Sequence, residues 1–129
     1  MKKRGFYRKI EFYKHNLSNK DKRRCLRVLN SLFLTTGEEV KLFEKKFATY
    51  LNIEYALGVT SCTDALFLAL KCFDIKAGDE VITTPLTFIA TANVIEYCNA
   101  RPIFVDVEEE TGNIDADLIE KAITSKTKA

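Results

Sequence analysis

Residues 58–66 combine small and hydroxylated side chains where a predicted strand leads into a predicted helix. The first N–H groups of such a helix, those of Cys62, Thr63 and Asp64, have no carbonyl partner within it and lie at the positive end of its dipole. With the hydroxyls of Ser61 and Thr63 as further donors, the segment has the chemistry that a phosphate group requires. Ordinary N-capping by Ser61 or Thr63 explains the same residue types. The glycine-rich fingerprints of nucleotide-binding loops are absent.

A second junction of this kind spans residues 83–93. Pro85 favours extended backbone before it and ends the strand, and Thr87 can cap the following helix. Phe88 then falls in the first helical turn, where its ring can enter the core or cover a planar ligand, and the periodicity favours the core. Asp106 ends another strand at the same predicted edge, where ligands of parallel α/β sheets bind, and we expect it to orient loops.

The remaining reactive side chains form no known catalytic or metal-binding pattern. The only histidine is His15, which argues against a catalytic triad. We expect reduced thiols and no zinc site, because the cysteines have no C-x-x-C spacing. They are Cys25, Cys62, Cys72 and Cys98.

The composition is that of a globular protein. The 129 residues suit one domain, and 47% hydrophobic with 29% charged residues exclude disorder and low complexity. No apolar stretch approaches the ~20 residues that cross a bilayer, and no secretory signal follows the basic N-terminus. We therefore expect a cytoplasmic protein with no membrane association.

Positive charge is concentrated at the N-terminus. Residues 1–24 carry ten Lys and Arg against Glu11 and Asp21, a net charge of +8, which leaves −6 for the rest of a chain whose total is +2. A basic arm at residues 1–17 could bind a polyanion. No RNA-binding, helix-turn-helix or zinc-finger pattern accompanies it, so we expect no nucleic-acid partner.

Residues 18–52 are predicted to form a helical hairpin. Ser18 can cap a first helix that ends near Ser31, and Thr36 can cap a second helix in which Glu39 completes a capping box. The second helix has an apolar stripe at helical spacing. It consists of Val40, Phe43, Phe47 and Leu51.

Residues 53–129 alternate short β-type runs with helical segments, which predicts the α/β class with a parallel sheet covered on both faces. The predicted strands are 55–59, 80–83 and 101–107, and the predicted helices are 63–73, 87–99 and 115–123, with a turn at 77–79. The pattern calls for another strand after the last helix. Because three strands rarely complete a parallel sheet, we expect a fragment of a longer protein.

Taken in order, these segments resemble the first third of the DegT/DnrJ-type sugar aminotransferases, which are pyridoxal-phosphate enzymes of fold type I, the aspartate aminotransferase-like class. The resemblance runs from Ile10 to Ala129, and each motif is weak alone while the ordered set is specific. The motifs are residues 12–17, 34–37 with 43–44, 60–66, 78–82, 85–93, 102–107, 113–115 and 126–129.

The resemblance implies that residues 53–129 are part of an α/β/α large domain that binds pyridoxal 5'-phosphate. It implies that Ser61, Cys62 and Thr63 bind the cofactor phosphate and that Phe88 stacks on the pyridine ring. The implied reaction moves an amino group from glutamate or a similar donor to a keto sugar attached to a nucleotide, for amino-sugar and polysaccharide biosynthesis. It also implies a homodimer whose sites are completed across the interface, with Asp106 and residues 34–37 nearby.

The chain departs from the family pattern in several places. The family usually has Ser-Gly-Thr at positions 61–63, where this chain has Cys62, and its first helix is usually acidic where residues 20–24 are basic. The lysine that forms the internal aldimine and the acidic partner of the pyridine nitrogen are expected beyond Ala129. We therefore assign no catalytic residue, expect weak or no cofactor binding by the isolated chain, and expect it to be inactive alone. In the family, strand 55–59 pairs with other segments, so its backbone should lack partners here.

Two other classes of function stay open. A non-catalytic phosphate-binding or assembly module derived from such an enzyme would keep the anion site and need no lysine. A polyanion-binding protein would use the basic arm, and an affinity that does not depend on salt would argue against it.

Overall fold

The structure is a computed structural model that describes residues 13–35 and 37–129. The chain divides into two compact units, Met1–Gly58 and Val59–Ala129. Most of the predicted basic arm lies outside the described residues, as does Thr36 with its predicted cap. Among the described residues, no helix has the length and apolar character needed to cross a membrane.

The first unit contains helices α1 (Asn19–Leu29) and α2 (Glu38–Leu51). The cap of α1 is confirmed at Ser18, whose hydroxyl oxygen accepts the N–H of Asp21 at 3.3 Å. In return, the Asp21 carboxylate accepts the N–H of Ser18 at 2.8 Å, which completes a capping box. Two orphan donors of the helix start are thereby satisfied.

Helix α2 begins without a side-chain cap. Its N-cap is Gly37, and the Glu39 carboxylate accepts hydrogen bonds from the Arg24 guanidinium of α1. This bond lowers the pKa of Glu39 and raises the pKa of Arg24. The predicted apolar stripe stays largely exposed, although the rings of Phe43 and Phe47 stack with centroids 5.6 Å apart.

The predicted strand at 55–59 is wrong, because these residues form no strand. A strand needs a neighbour for its backbone groups, and no described residue pairs with this segment. The N–H of Gly58 instead donates to the Glu44 carboxylate at 2.8 Å.

The second unit confirms the α/β class. Its elements are α3 (Cys62–Cys72), β1 (Glu80–Thr83), α4 (Ala90–Tyr97), β2 (Arg101–Phe104) and α5 (Ala116–Ala122). Strands β1 and β2 are parallel, with Glu80 opposite Arg101 and Thr83 opposite Phe104. Strand β2 ends three residues earlier than predicted, because Val107 pairs with Ile114 as an antiparallel bridge.

Strand β1 also has a partner on its other edge. Its Glu80 and Ile82 N–H groups donate to the carbonyls of Lys126 and Ala129 at 2.9 and 2.8 Å, and the Lys128 N–H donates to the Glu80 carbonyl at 2.9 Å. These bonds run in the parallel sense. Residues 126–129 therefore pair with β1 in the parallel direction that the alternating pattern predicts for a further strand.

Strand β2 is suited to an outer position in the sheet. The N–H groups of Arg101 and Val105 donate to carbonyls of Asp79 and Thr83 on the β1 side. Successive N–H groups along a strand point to alternate sides, so the nitrogen of Pro102 faces away from β1. Proline has no N–H group, and at this position no hydrogen bond to β1 is lost.

The hydrophobic core of the second unit lies between the sheet and the helices. Helix α3 packs on α4, and α4 packs on both strands. The core consists of Ile75, Val81, Ile95, Cys98 and Ala100, with Phe67 and Leu70 of α3 packed against it.

Glu80 is the buried charged residue of this unit, with 7% of its surface exposed. Its carboxylate accepts the Thr124 hydroxyl at 2.6 Å, and the Arg101 guanidinium lies 3.8 Å from its other oxygen. Glu80 thus contacts Arg101 of β2 through its side chain, and it contacts residues 124–128 through both its side chain and its backbone.

We expect Glu80→Ala to lower the free energy of unfolding by about 1.5–3 kcal/mol, because a hydrogen bond to a buried charged group is lost and the Thr124 hydroxyl loses its acceptor. Urea unfolding of the variant and of the exposed-site control Glu109→Ala measures the difference. Equal midpoints for the two variants would show that the contacts of the Glu80 carboxylate do not stabilise the fold.

Candidate anion and cofactor site

The start of α3 is organised by one carboxylate and two hydroxyls. Ser61 is the N-cap, and its hydroxyl oxygen accepts the N–H of Asp64 at 3.1 Å. The Ser61 hydroxyl also donates to Asp64 Oδ2 at 2.9 Å, and the Thr60 hydroxyl donates to the same oxygen. N-capping by Ser61, the ordinary interpretation of this segment, is therefore observed.

Three consecutive backbone donors remain at this helix start. No described acceptor takes the N–H of Ser61, Cys62 or Thr63, and the first helical bond runs from Ala65 to the Ser61 carbonyl at 3.1 Å. The prediction that the Asp64 N–H is also free to bind a ligand is wrong, because this N–H donates to the Ser61 hydroxyl oxygen. The free donors are thus the N–H groups of residues 61–63, where the sequence predicts those of residues 62–64. They lie at the positive end of an 11-residue helix.

Asp64 is the charged group of this site. Hydrogen bonds from Thr60 and Ser61 lower the pKa of its carboxyl group, with the larger contribution from Thr60. The carboxylate form is therefore favoured. The Ser61 hydroxyl, predicted as a donor to a ligand, donates to this carboxylate instead.

The loop that follows β1 keeps Phe88 out of the core. Helix α4 begins at Ala90 with Ile89 as its N-cap, so the predicted helix start at Thr87 is three residues early. Phe88 precedes the helix with 76% of its surface exposed, and the expectation of core packing is wrong. Pro85 and a hydrogen bond from the Leu86 N–H to the Thr84 hydroxyl oxygen at 3.2 Å shape the loop instead.

The loops after β1 and β2 meet at one edge of the sheet. The side chain of Leu86 packs beside Gly112, a residue with φ of 68°. Asp106 accepts the N–H of Val107 on its carboxylate at 2.8 Å and the N–H of Asp115 on its carbonyl at 2.9 Å. Asp106 orients this loop, as the sequence predicts.

The topology directs the start of α3 toward the same edge. Residues 73–79 return the chain from the end of α3 to the beginning of β1 at the opposite edge, so α3 runs against the strand direction. Its first turn therefore lies at the end where β1 and β2 finish. Free amides at residues 61–63 and the exposed ring of Phe88 suit a ligand with one phosphate and one flat ring, which are the groups that pyridoxal 5'-phosphate presents.

Metal binding finds no support among residues 13–35 and 37–129, where no group of three or more His, Cys, Asp or Glu side chains is placed to hold an ion. The four cysteines are free thiols, and Cys98 alone of these is buried.

Comparisons with known proteins agree with the resemblance found in the sequence. The model of the DegT/DnrJ/EryC1/StrS aminotransferase family matches residues 15–129. The chain is 52% identical over 101 residues to the spore coat polysaccharide biosynthesis protein SpsC of Bacillus subtilis, covering 78% of this chain and 26% of SpsC. It is 42% identical over 121 residues to the GDP-perosamine synthase of Escherichia coli O157:H7, covering 93% of this chain and 33% of that enzyme.

Solved structures give the same result. The PLP form of Spr1654 from Streptococcus pneumoniae superposes with a TM-score of 0.81 at 33% identity, over 87% of this chain and 29% of that protein. The chain thus spans about a quarter to a third of the length of the proteins it matches.

We expect the Asp64 carboxyl group to titrate below the ordinary range of aspartate, because the Thr60 and Ser61 hydroxyls stabilise its ionised form. A lowered pKa in the folded state stabilises the fold above the unfolded-state pKa, and this contribution is lost as the pH falls through the folded-state pKa. A carboxyl NMR titration of the chain and of Thr60→Val measures the shift. An unchanged Asp64 titration in Thr60→Val would contradict the assigned cause.

Proposed function

The chain belongs to the DegT/DnrJ/EryC1/StrS aminotransferase family, and on that basis we propose that it is the N-terminal, cofactor-binding part of a pyridoxal-phosphate-dependent sugar aminotransferase. The observation that carries this proposal is the set of N–H groups at Ser61, Cys62 and Thr63, at the start of α3, for which no described acceptor is found. The exposed ring of Phe88 in the loop after β1 supports it. The substrate we propose is a keto sugar attached to a nucleotide, with glutamate or a similar amino donor.

The names of two relatives support this substrate class. The Escherichia coli relative is named for a GDP-linked amino sugar, and the Bacillus subtilis relative is named for spore coat polysaccharide biosynthesis. The proposed role of the complete protein is amino-sugar synthesis for a polysaccharide or related glycan.

We assign separate tasks to the two parts of the site. The amides of residues 61–63 hold the phosphate, since backbone N–H groups at a helix start suit an anion and need no charged side chain. The ring of Phe88 covers one face of the pyridine ring and keeps water from it. When bound, pyridoxal 5'-phosphate supplies the electron sink for amino-group transfer.

The thiol of Cys62 does not interrupt this arrangement. Cys62 contributes its backbone N–H where the family usually has glycine, and its side chain is exposed at the first position of α3. The amide donor that the phosphate needs is therefore retained. We further propose that the complete protein is a cytoplasmic homodimer, as the family resemblance implies.

We expect the 129-residue chain to show no turnover with pyridoxal 5'-phosphate, glutamate and a nucleotide-linked keto sugar, because the cofactor-anchoring lysine is expected outside residues 1–129. The complete polypeptide, as its source produces it, should form 2-oxoglutarate and an amino sugar. Turnover by the 129-residue chain would place the lysine within it. A complete polypeptide that binds the cofactor and never transfers the amino group would favour the non-catalytic module.

We expect Phe88→Leu in the complete polypeptide to weaken binding of pyridoxal 5'-phosphate and of pyridoxal alike, by about two- to tenfold, because an aromatic contact to the ring is lost while the phosphate contacts stay. Absorbance titration measures both affinities. The control is Phe73→Leu, a comparably exposed ring beyond the last residue of α3. Equal affinities in the two variants would remove Phe88 from the site.

A further inference from the structure

Helix α1 contacts α2 on one side and leaves the rest of its surface exposed. Arg24 and Val28, one helical turn apart, are the half-buried residues of α1, and the Arg24 guanidinium binds the Glu39 carboxylate of α2. The helix has no buried residue, and its other side chains are exposed. The side of α1 opposite Arg24 and Val28 is therefore open to a partner.

Apolar side chains lie on that open side and continue past the helix end. Leu26 and Leu29 are 58% and 65% exposed, and Leu32, Phe33 and Leu34 follow with 89%, 70% and 60%. We call these five residues the apolar segment. Single exposed leucines are ordinary, but five large apolar side chains within nine residues are typical of a surface that binds a protein or a membrane.

Positive charge accompanies the apolar segment. Four cations of α1 are exposed and form no ion pair with a described residue. They are Lys20, Lys22, Arg23 and Arg27. The one acidic residue of the helix, Asp21, accepts the N–H of Ser18 in the cap. A helix that combines exposed leucines with several Lys and Arg, and has low overall hydrophobicity, is typical of helices that lie on a membrane surface.

The position of Lys22 indicates which environment suits the open side of α1. Lys22 lies four residues before Leu26 and seven before Leu29, so the three side chains follow one line along the helix. A protein surface over this line would have to bury the ammonium group and pair it with a carboxylate. A lipid surface needs no such partner, because the lysine stem lies along the apolar region while the ammonium group reaches the phosphate head groups.

We propose that α1 and the apolar segment bind the surface of an anionic phospholipid bilayer. The leucine and phenylalanine side chains enter the boundary between head groups and acyl chains, and the four cations attract the anionic head groups. This association is peripheral. It needs neither a spanning segment nor a secretory signal, on whose absence the expectation of no membrane association rests, and it does not depend on the proposed aminotransferase activity.

Charge and apolar contact together distinguish a bilayer from other partners. A nucleic acid or another soluble polyanion would bind the cations and gain nothing from Leu26 or Leu29. A protein surface over the apolar segment, from the same polypeptide or from a second copy, would contact the leucines and leave no site for vesicles. Only a bilayer requires the cations, the leucines and an anionic lipid at once.

The experiment measures sedimentation of the complete polypeptide, as its source produces it, with two kinds of vesicle. One consists of phosphatidylcholine and the other of equimolar phosphatidylcholine and phosphatidylglycerol. Binding to the mixed vesicles should be at least about tenfold tighter, and added salt should reduce this preference because it screens exposed charges. Arg23→Glu should weaken binding to the mixed vesicles by about tenfold or more. Lys45→Glu, the same reversal on an exposed lysine of α2, should weaken it by less than about twofold.

A second pair of variants tests the apolar contact. Leu26→Ser should weaken binding to the mixed vesicles by about tenfold, because the lost side chain no longer leaves water on binding. Leu57→Ser removes a leucine that is 85% exposed outside α1, and it should leave binding unchanged. All four substituted residues are exposed, so the variants should keep the fold, which circular dichroism checks.

Each contrary outcome overturns the proposal and indicates a different partner. A complete polypeptide that binds neither vesicle points to protein over the apolar segment. A loss in Arg23→Glu without a loss in Leu26→Ser points to a soluble polyanion. Equal binding to both vesicles removes the role of the cations, and equal losses in the matched controls remove α1 as the binding surface.

Discussion

Strand β1 has hydrogen-bond partners along both of its edges, and the second unit is built around it. Strand β1 bonds to β2 on one side and to residues 126–129 on the other. Glu80 strengthens this position with a buried carboxylate that binds the Thr124 hydroxyl. The core residues on β1 and α4 and in the adjoining loops, with those of α3 packed against them, surround this paired backbone.

The same constraint explains where chemistry can occur. Because β1 and β2 are parallel, the loops after them leave from one edge, and the connection from α3 into β1 directs the α3 start to that edge. Phe88 is exposed there because it lies in the loop that contains Pro85, before α4 begins at Ala90. The start of α3, with its free backbone N–H groups, and the exposed ring of Phe88 come from segments that are more than twenty residues apart.

The pairing requirement also shows why one predicted strand is absent. Residues 55–59 have the composition of a strand, yet none of the described residues offers them a ladder, and Gly58 bonds to a Glu44 side chain. Pairing, and not local preference, decides whether such a segment becomes a strand. The two Ser-x-x-Asp helix starts also differ in their bonds: the Asp21 carboxylate accepts the hydroxyl and the N–H of Ser18, whereas the Asp64 carboxylate accepts the hydroxyls of Ser61 and Thr60.

The amino-acid pattern was enough to predict the α/β class, strand β1 at both ends and the cap of α1, and it left Ser61 and Thr63 as alternative caps of α3. Hydrophobic period and capping residues act over a few neighbouring positions, which is why such features can be predicted locally. The amino-acid pattern also indicated the family, since an ordered set of motifs is specific even where each is weak. Three features became clear only from the tertiary structure. Phe88 is exposed, and residues 55–59 find no strand partner. At the start of α3 the N–H of Ser61 is free and that of Asp64 is bonded. These features depend on which groups meet across loops and strands, and local sequence preferences contain no information about such partners.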